Sequence, residues 1–313
     1  MIIKAILAMS FATAVVNAQV ITQNFGTGAS AFSMDFVTIG NPGNAADTTG
    51  SPNPAGSVSY IYNIGKYEVS RDMIDKANAA GNLGITLMDM SAWGLSNGVN
   101  MPATGISWYE AARYVNWLNT STGGTAAYKF VGATFQLWSA SDAGYNANNM
   151  FRNSLAKYFI ASSDEWYKAA YGKSDESWSN FPNGSDNAPT AVTSGIAANT
   201  AVYGQSGSQG PTDINSAGGL SAWGTMAQGG NVWEWMETAY DGSNNAAGEN
   251  RELRGGAWNQ GSYTLDASIR NTHSPTDEIG DIGFRIAMVP EPSALSLLAV
   301  GLSGLAMVRR RRS

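Results

Sequence analysis

The sequence predicts a loop-rich fold that combines a few helices with short strands. Glycine makes up 36 of the 313 residues, well above its usual share of roughly 7%, and this excess indicates many turns. Two stretches carry a serine followed three positions later by a glutamate, which is typical of a helix start. Several short runs rich in aromatic and β-branched residues are typical of strands.

The two main helices are predicted from these capping boxes. Ser107 and Glu110 open the first, which continues with apolar residues at helical spacing through residue 118. Ser162 and Glu165 open the second, and Gly172 follows as its stop. In each pair the hydroxyl and the carboxylate accept hydrogen bonds from amides that the helix leaves unpaired.

A further helix is predicted over residues 70–80, with Ser70 as its N-cap and Gly81 as its stop. Residues 172–230 form a long polar tract with no convincing helix. Strands are predicted at residues 36–39, 60–69, 231–238, 251–258 and 282–289.

The first 18 residues have the pattern of a secretory signal peptide. Lys4 precedes an apolar run over residues 5–16, and small residues precede a cleavage point between Ala18 and Gln19. We therefore expect signal peptidase to remove residues 1–18 and the following domain to be exported.

The C-terminal residues 290–313 have three parts in order. Pro290, Glu291 and Pro292 precede an uncharged apolar run at residues 294–308, and four arginines follow at 309–312. A helix over the run covers about 22 Å, and the arginines can extend its reach across a bilayer core of about 30 Å and hold that end in the cytoplasm. We expect a transmembrane helix that anchors the chain before any cleavage.

This arrangement resembles the PEP-CTERM sorting tail of Gram-negative bacteria. The resemblance implies that an exosortase recognises the Pro-Glu-Pro segment, cleaves there and releases the protein towards the cell surface or the extracellular matrix. The alternative is a plain C-terminal membrane anchor.

The charge of the remaining body, residues 19–289, argues against polyanionic partners. Five of the 18 basic residues (Lys4 and residues 309–312) and one of the 24 acidic residues (Glu291) lie in the end segments. The body keeps 13 basic and 23 acidic residues, so its net charge is −10. A nucleic acid partner is therefore not expected.

The lack of cysteine and the single histidine restrict the chemistry of the chain. They exclude a thiol nucleophile, a thiolate metal site, an iron–sulfur cluster and disulfides. Carboxylate chemistry, metals with oxygen ligands, and binding through aromatic and amide side chains remain.

Six segments resemble the formylglycine-generating enzyme family, also called the sulfatase-modifying factor domain. They are residues 64–70 (IGKYEVS), 101–118 (MPATGISWYEAARYVNWL), 160–172 (IASSDEWYKAAYG), 221–235 (SAWGTMAQGGNVWEW), 253–258 (LRGGAW) and 270–285, which end in GFR. The resemblance covers about residues 34–288. It implies an α+β fold, a loop-rich variant of the C-type lectin-like fold with short strands and two main helices.

Residues of these motifs are predicted to hold the fold together. Trp233 and Trp235 alternate with Glu234 along a strand, so the tryptophans share one face. Arg254 and Arg285 can each bind a carboxylate, with Glu234 or Asp164 as possible partners. The remaining motif residues are Gly255, Gly256, Arg270, Gly283 and Phe284.

The resemblance does not extend to the family's metal chemistry. Family enzymes that make formylglycine bind copper through two cysteines between the RGG segment and the final arginine, where this chain has NQGSYTLDASI at residues 259–269. A related branch holds iron through several histidines on an additional domain. Neither set of ligands is present, so we expect no copper, iron or haem.

Two weaker candidates for a site lie near the C-terminal end of the domain. His273 is predicted in a loop, where a surface or hydrogen-bonding role is more typical than a catalytic one. Asp277, Glu278 and Asp281 follow it and form either a solvated acidic loop or a site for a hard cation.

Calcium is the family cofactor that the sequence keeps in part. The resemblance implies one ion held by the carbonyls of Gly230 and Val232 and by the side chain of Glu234, but Ala227 replaces a further oxygen ligand. A second ion would use Asn199 and the carbonyl of Thr200.

Two functions remain open at this point. The first is a non-catalytic surface or matrix protein that binds an unknown ligand, such as an exopolysaccharide or a surface peptide. The second is an oxidase that modifies protein side chains, as the family enzymes do.

Overall fold

The computed structural model describes residues 19–290. The predicted signal peptide, the cleavage residue Ala18, and Glu291, Pro292 and the rest of the tail lie outside the described residues. Gln19 and Pro290 lie at the two described ends, and both are exposed. Within this range no helix is long and apolar enough to cross a membrane.

The described residues form an α+β fold with short strands, as predicted. The helices are α1 (Arg71–Gly81), α2 (Trp108–Thr120) and α3 (Ser163–Tyr171). The strands are β1 (Val20–Phe25), β2 (Phe32–Ile39), β3 (Tyr62–Gly65), β4 (Lys129–Val131), β5 (Thr134–Gln136), β6 (Tyr158–Ile160), β7 (Thr190–Ala191), β8 (Thr200–Ala201), β9 (Trp233–Ala239), β10 (Arg251–Arg254), β11 (Asn271–His273), β12 (Ile282–Phe284) and β13 (Ile286–Met288).

A five-stranded sheet brings the two ends of the domain together. Its order is β1-β2-β3-β13-β6, and all neighbours are antiparallel. The last strand, β13, lies between β3 and β6, with Ala287 opposite both Ile64 and Phe159. The C-terminal segment of the domain is therefore a central part of this sheet.

A four-stranded sheet of order β11-β10-β9-β12 carries the motif residues. In it β9 is parallel to β12 and antiparallel to β10. Because β12 and β13 are separated only by Arg285, this arginine lies where the chain passes from one sheet to the other.

The helix starts follow the sequence prediction closely. Ser107 with Glu110 and Ser162 with Glu165 both form complete capping boxes, and Ser70 caps α1 by accepting a hydrogen bond from an amide. The end of α1 differs, because Gly81 is still helical and Asn82 is the C-cap in a left-handed conformation with φ 49°. Asparagine adopts this conformation more readily than most residues.

The strands are mostly shorter than predicted, and one loop prediction is wrong. His273 is the last residue of β11, where it lies opposite Arg251, and is not in a loop. The tract at residues 172–230 contains no helix, as predicted, and only the two-residue parallel strands β7 and β8.

A group of aromatic rings fills the space between α2 and the four-stranded sheet. Trp108 lies 5.1 Å from Tyr128 and 5.2 Å from Phe135 between ring centroids. Arg251 is buried among them, with its guanidinium carbon 4.3 Å from the Trp108 ring and 3.9 Å from the Phe151 ring. Burial lowers the pKa of Arg251 to about 10, and the ring faces offset part of the cost of burying the cation.

Candidate ligand-binding cleft

Strand β9 is buried on both of its faces. The indole N–H of Trp235 donates to the carbonyl of Ile106, just before the N-cap of α2, at 2.9 Å. Glu234 points to the opposite side and accepts a hydrogen bond of 2.7 Å from the indole N–H of Trp166. Glu234 and Trp235 therefore contact opposite sides of β9, as predicted, and both are buried.

Glu234 and Arg285 form a fully buried ion pair. The Nη2 and Nε atoms of Arg285 lie 2.7 Å from Oε1 and 3.0 Å from Oε2 of Glu234. The remaining guanidinium hydrogens reach the carbonyls of Gly65 and Met226, both at 2.7 Å. This arginine thus binds β9, β3 and the polar tract at once.

Arg254 has a partner that the sequence interpretation did not include. Its Nε lies 2.6 Å from Glu252 Oε1 on the same strand, and neither Glu234 nor Asp164 is its ion-pair partner. The pairing of i and i+2 is possible because both side chains leave the same face of a strand. Glu252 also binds Arg270, with 3.4 Å between Oε2 and Nη1.

The glycines of the motifs allow close approach of neighbouring segments. Gly255 and Gly256 have φ values of +97° and +75°, which other residues rarely adopt. A Cβ at Gly256 would lie 2.3 Å from the hydroxyl of Thr264. Gly283 precedes the buried Phe284 in β12. A Cβ at Gly283 would lie 3.0 Å from Cγ2 of Val232.

Three segments meet where β9 and β12 begin. The Trp258 amide donates to the carbonyl of Asn231 at 2.9 Å, and the Trp233 amide donates to the carbonyl of Asp281 at 2.8 Å. The Asn259 side chain reaches the Asp281 carboxylate at 3.4 Å. We call this region, made of Trp233, Trp258, Asn259, Gln260 and Asp281, the indole cleft.

The indole cleft holds polar atoms without partners. The indole N–H groups of Trp233 and Trp258 and the Oε1 atom of Gln260 are buried and have no hydrogen-bond partner within residues 19–290. The two tryptophans are only 3% and 4% exposed. Such groups are costly to leave unpaired in a protein interior.

The ionisable groups near the cleft are Asp281 and the pair formed by His273 and Asp277. Burial raises the pKa of Asp281, and the hydrogen bond from Asn259 opposes this effect. His273 Nδ1 lies 3.0 Å from Asp277 Oδ2, and both side chains are about one-third exposed. The part of the chain that the structure covers contains no cluster of three histidine, aspartate or glutamate side chains able to hold a metal.

The side chain of Glu234 does not fit the calcium role that the resemblance implies. Both of its oxygens are already bound by Arg285 and Trp166. In the other proposed set, the carbonyls of Asn199 and Thr200 accept hydrogen bonds from backbone amides. Calcium at these turns stays a prediction, and near Gly230 and Val232 it would depend on backbone carbonyls.

The sequence interpretation missed Trp258 and Gln260 as site residues. The signal was available for Trp258, because it is the last residue of the LRGGAW segment at residues 253–258. Gln260 lies within residues 259–269, where the resemblance places the copper-binding cysteines, and no motif of the sequence marks it.

The fold and the motif geometry agree with a comparison against protein families. The family model described as the sulfatase-modifying factor enzyme 1-like domain matches residues 34–289. The chain therefore belongs to this family. A second model, the PEP-CTERM protein-sorting motif, matches residues 289–312, so the protein is exported and sorted to the cell surface by an exosortase.

Solved structures share the fold at low sequence identity. Treponema denticola variable protein 1 is 19% identical with a TM-score of 0.59, and the match covers 86% of this chain and 99% of that one. CarF is 18% identical with a TM-score of 0.58 over 82% and 99% of the two chains. PvdO from Pseudomonas aeruginosa is 18% identical with a TM-score of 0.53 over 86% and 98%. No curated protein matches the sequence.

Proposed function

We propose that this protein is a non-catalytic surface or matrix protein that binds a polar ligand in the indole cleft. The buried ion pairs of the domain connect its strands to one another. Their charged groups are therefore engaged in holding the fold, which supports a non-catalytic role. The stretch at residues 259–269 has no cysteine, so it lacks the side chains that the resemblance assigns to copper.

One observation carries the proposal, namely the unpaired indole N–H groups of Trp233 and Trp258. A buried donor without a partner costs about 1–3 kcal/mol. A ligand that offers hydroxyl or carbonyl oxygens would remove this cost while its apolar parts contact the rings. Exopolysaccharide and surface peptides both offer such oxygens.

The experiment measures binding of the host's own exopolysaccharide and surface peptides to the exported protein by calorimetry. We expect saturable binding to one of them, weakened about tenfold or more by Trp233→Phe and Trp258→Phe, because each variant removes one donor. Trp93→Phe is the control, since Trp93 is 63% exposed and lies outside the cleft. An absence of binding, or binding that both cleft variants leave unchanged, would refute the proposal.

A further inference from the structure

A concave surface lies on α2, away from the start of β9. Four side chains at positions i, i+3, i+4 and i+7 of α2 form one face of the helix. The end of α1 and the β4–β5 hairpin complete a groove of about 350 Å³. We call it the α2 groove; its lining is Gly81, Asn82, Leu83, Arg113, Asn116, Trp117, Thr120, Phe130 and Gly132.

Trp117 presents its indole N–H to this groove. The side chain is 8% exposed, and its N–H has no hydrogen-bond partner within the described range, whereas its ring packs on Phe32 at 5.9 Å. A Cβ at Gly81 would lie 2.5 Å from Cδ1 and 2.8 Å from Nε1 of this ring. The absence of a side chain at position 81 therefore keeps the indole edge open.

Polar groups surround the indole edge. Arg113 lies 3.6 Å from Glu110 and its side chain is 30% exposed, so guanidinium hydrogens remain available. Asn82 makes no side-chain hydrogen bond within residues 19–290, and the hydroxyl of Thr120 donates to the carbonyl of Asn116. The groove thus offers several hydrogen-bond donors. It also offers two acceptors, the amide oxygen of Asn82 and the hydroxyl oxygen of Thr120.

An apolar wall faces these groups. Phe130 is partly exposed and packs edge-on against Phe135 at 5.7 Å, which fixes its ring in the β4–β5 hairpin. Leu83 lies on the α1 side of the groove. A ligand in the groove would therefore meet an aromatic surface and hydrogen-bonding groups together.

We propose that the α2 groove binds a neutral oligosaccharide. A sugar ring has apolar C–H faces for the aromatic side chains and hydroxyl groups for the indole N–H, the guanidinium and the amide. The single charged lining residue, Arg113, is balanced by Glu110 and by the nearby Glu278. The net charge of −10 for the body further disfavours an anionic saccharide.

This site is separate from the indole cleft and does not depend on the function proposed for it. Each site contains its own tryptophans among the ten of the full chain. Labelling with 5-fluorotryptophan therefore gives each site its own ¹⁹F NMR signals. The variants Trp117→Phe, Trp233→Phe and Trp258→Phe assign the relevant signals. If every neutral tetrasaccharide that binds shifts only the signals of Trp233 and Trp258, the indole cleft is supported and the α2 groove is overturned.

The test titrates the labelled full-length protein in detergent with neutral hexose tetrasaccharides and, separately, with a uronate tetrasaccharide. We expect a neutral tetrasaccharide to shift the Trp117 signal in a saturable way. Gly81→Ala should weaken this binding at least about tenfold, since the added methyl group occupies the indole edge. Gly207→Ala should leave it unchanged, because a Cβ there meets no atom within 4 Å.

Arg113→Gln gives an independent variant in case Gly81→Ala disturbs the packing of Trp117. It should also weaken binding, and thermal unfolding of each variant verifies that the fold is kept. The proposal is overturned if no neutral tetrasaccharide shifts the Trp117 signal, if only the uronate does so, or if a folded Gly81→Ala protein binds as well as the parent.

Discussion

At the scale of single residues, buried carboxylates and arginines connect the loop-rich fold. Glu234 binds Arg285, Glu252 binds Arg254, and Arg152 lies 3.3 Å from Glu165 and 3.2 Å from Glu237. The sequence offered Glu234 as one of two possible partners of Arg285, because both residues belong to recognised motifs. Arg152 lies in no such motif, and its partners are set by the approach of distant segments.

Removing one member of the buried pair should be strongly destabilising. Glu234→Gln leaves the charge of Arg285 unpaired in the core, and we expect a loss of about 3–5 kcal/mol in the free energy of unfolding. Urea unfolding followed by circular dichroism measures this change. Lys76→Gln, which removes the partly exposed pair between Lys76 and Asp72, should cost no more than about 0.5 kcal/mol. Similar losses in both variants would contradict the structural role of Glu234.

Glu278 should make stability depend on pH. Partial loss of hydration and the nearby Glu110 carboxylate raise the pKa of Glu278, whose side chain is largely exposed, above its ordinary value of 4.5. The folded protein therefore favours the protonated form of Glu278. The stability that this preference contributes is complete below the pKa of Glu278 in the unfolded chain, and it is lost as the pH rises through the higher pKa of the folded state. Glu278→Gln should stabilise the protein relative to the parent more at pH 7 than at pH 4.

Thermal unfolding at the two pH values measures this difference, with Asp75→Asn as a control at an exposed position of α1. The control should shift the melting temperature by a similar small amount at both pH values. A Glu278→Gln protein whose advantage over the parent is the same at pH 4 and pH 7 would show that Glu110 and Glu278 do not repel each other in the folded state.

At the scale of elements, the helices are predictable from sequence and the strand pairing is not. A capping box is encoded within four consecutive residues, so the starts of α2 and α3 could be assigned to the residue. Strand β6 pairs with β13, which is more than 120 positions away in sequence. No local pattern records such a partner, and β1, the β4–β5 hairpin and β6 were accordingly missed.

The cap of α3 should contribute measurably to stability. Ser162→Ala removes the hydroxyl that accepts a hydrogen bond from the Glu165 amide, and we expect a loss of about 1 kcal/mol in urea unfolding. Ser121→Ala at the end of α2 is the matched control, with an expected change within about 0.5 kcal/mol because its hydroxyl makes only a long contact of 3.5 Å. Equal effects of the two variants would contradict the role of the cap.

At the scale of the whole molecule, a family domain is joined to a sorting motif that begins at its last strand. The domain match ends at residue 289 and the motif match starts there. The previous residue, Met288, is part of β13, an interior strand of the five-stranded sheet. Cleavage in the Pro-Glu-Pro segment would thus leave the five-stranded sheet complete.

Replacing residues 290–292 with alanines should prevent this processing. We expect the variant to stay uncleaved in the membrane fraction, while the parent loses the mass of the tail; immunoblots of cell fractions and intact mass spectrometry measure both. Ser293→Ala is the control and should be processed as the parent is. Normal cleavage and release of the triple variant would contradict recognition of this segment.

The central claim is that this family member binds a ligand and does not oxidise side chains. Mass spectrometry of a cysteine-containing sulfatase peptide, incubated with the exported protein, copper and oxygen, tests this claim most directly. We predict that no formylglycine forms at any copper concentration beyond the level in a control without the protein, because the chain has no cysteine with which to bind copper as the resemblance implies for the family enzymes. Conversion of the peptide cysteine to formylglycine would contradict the account.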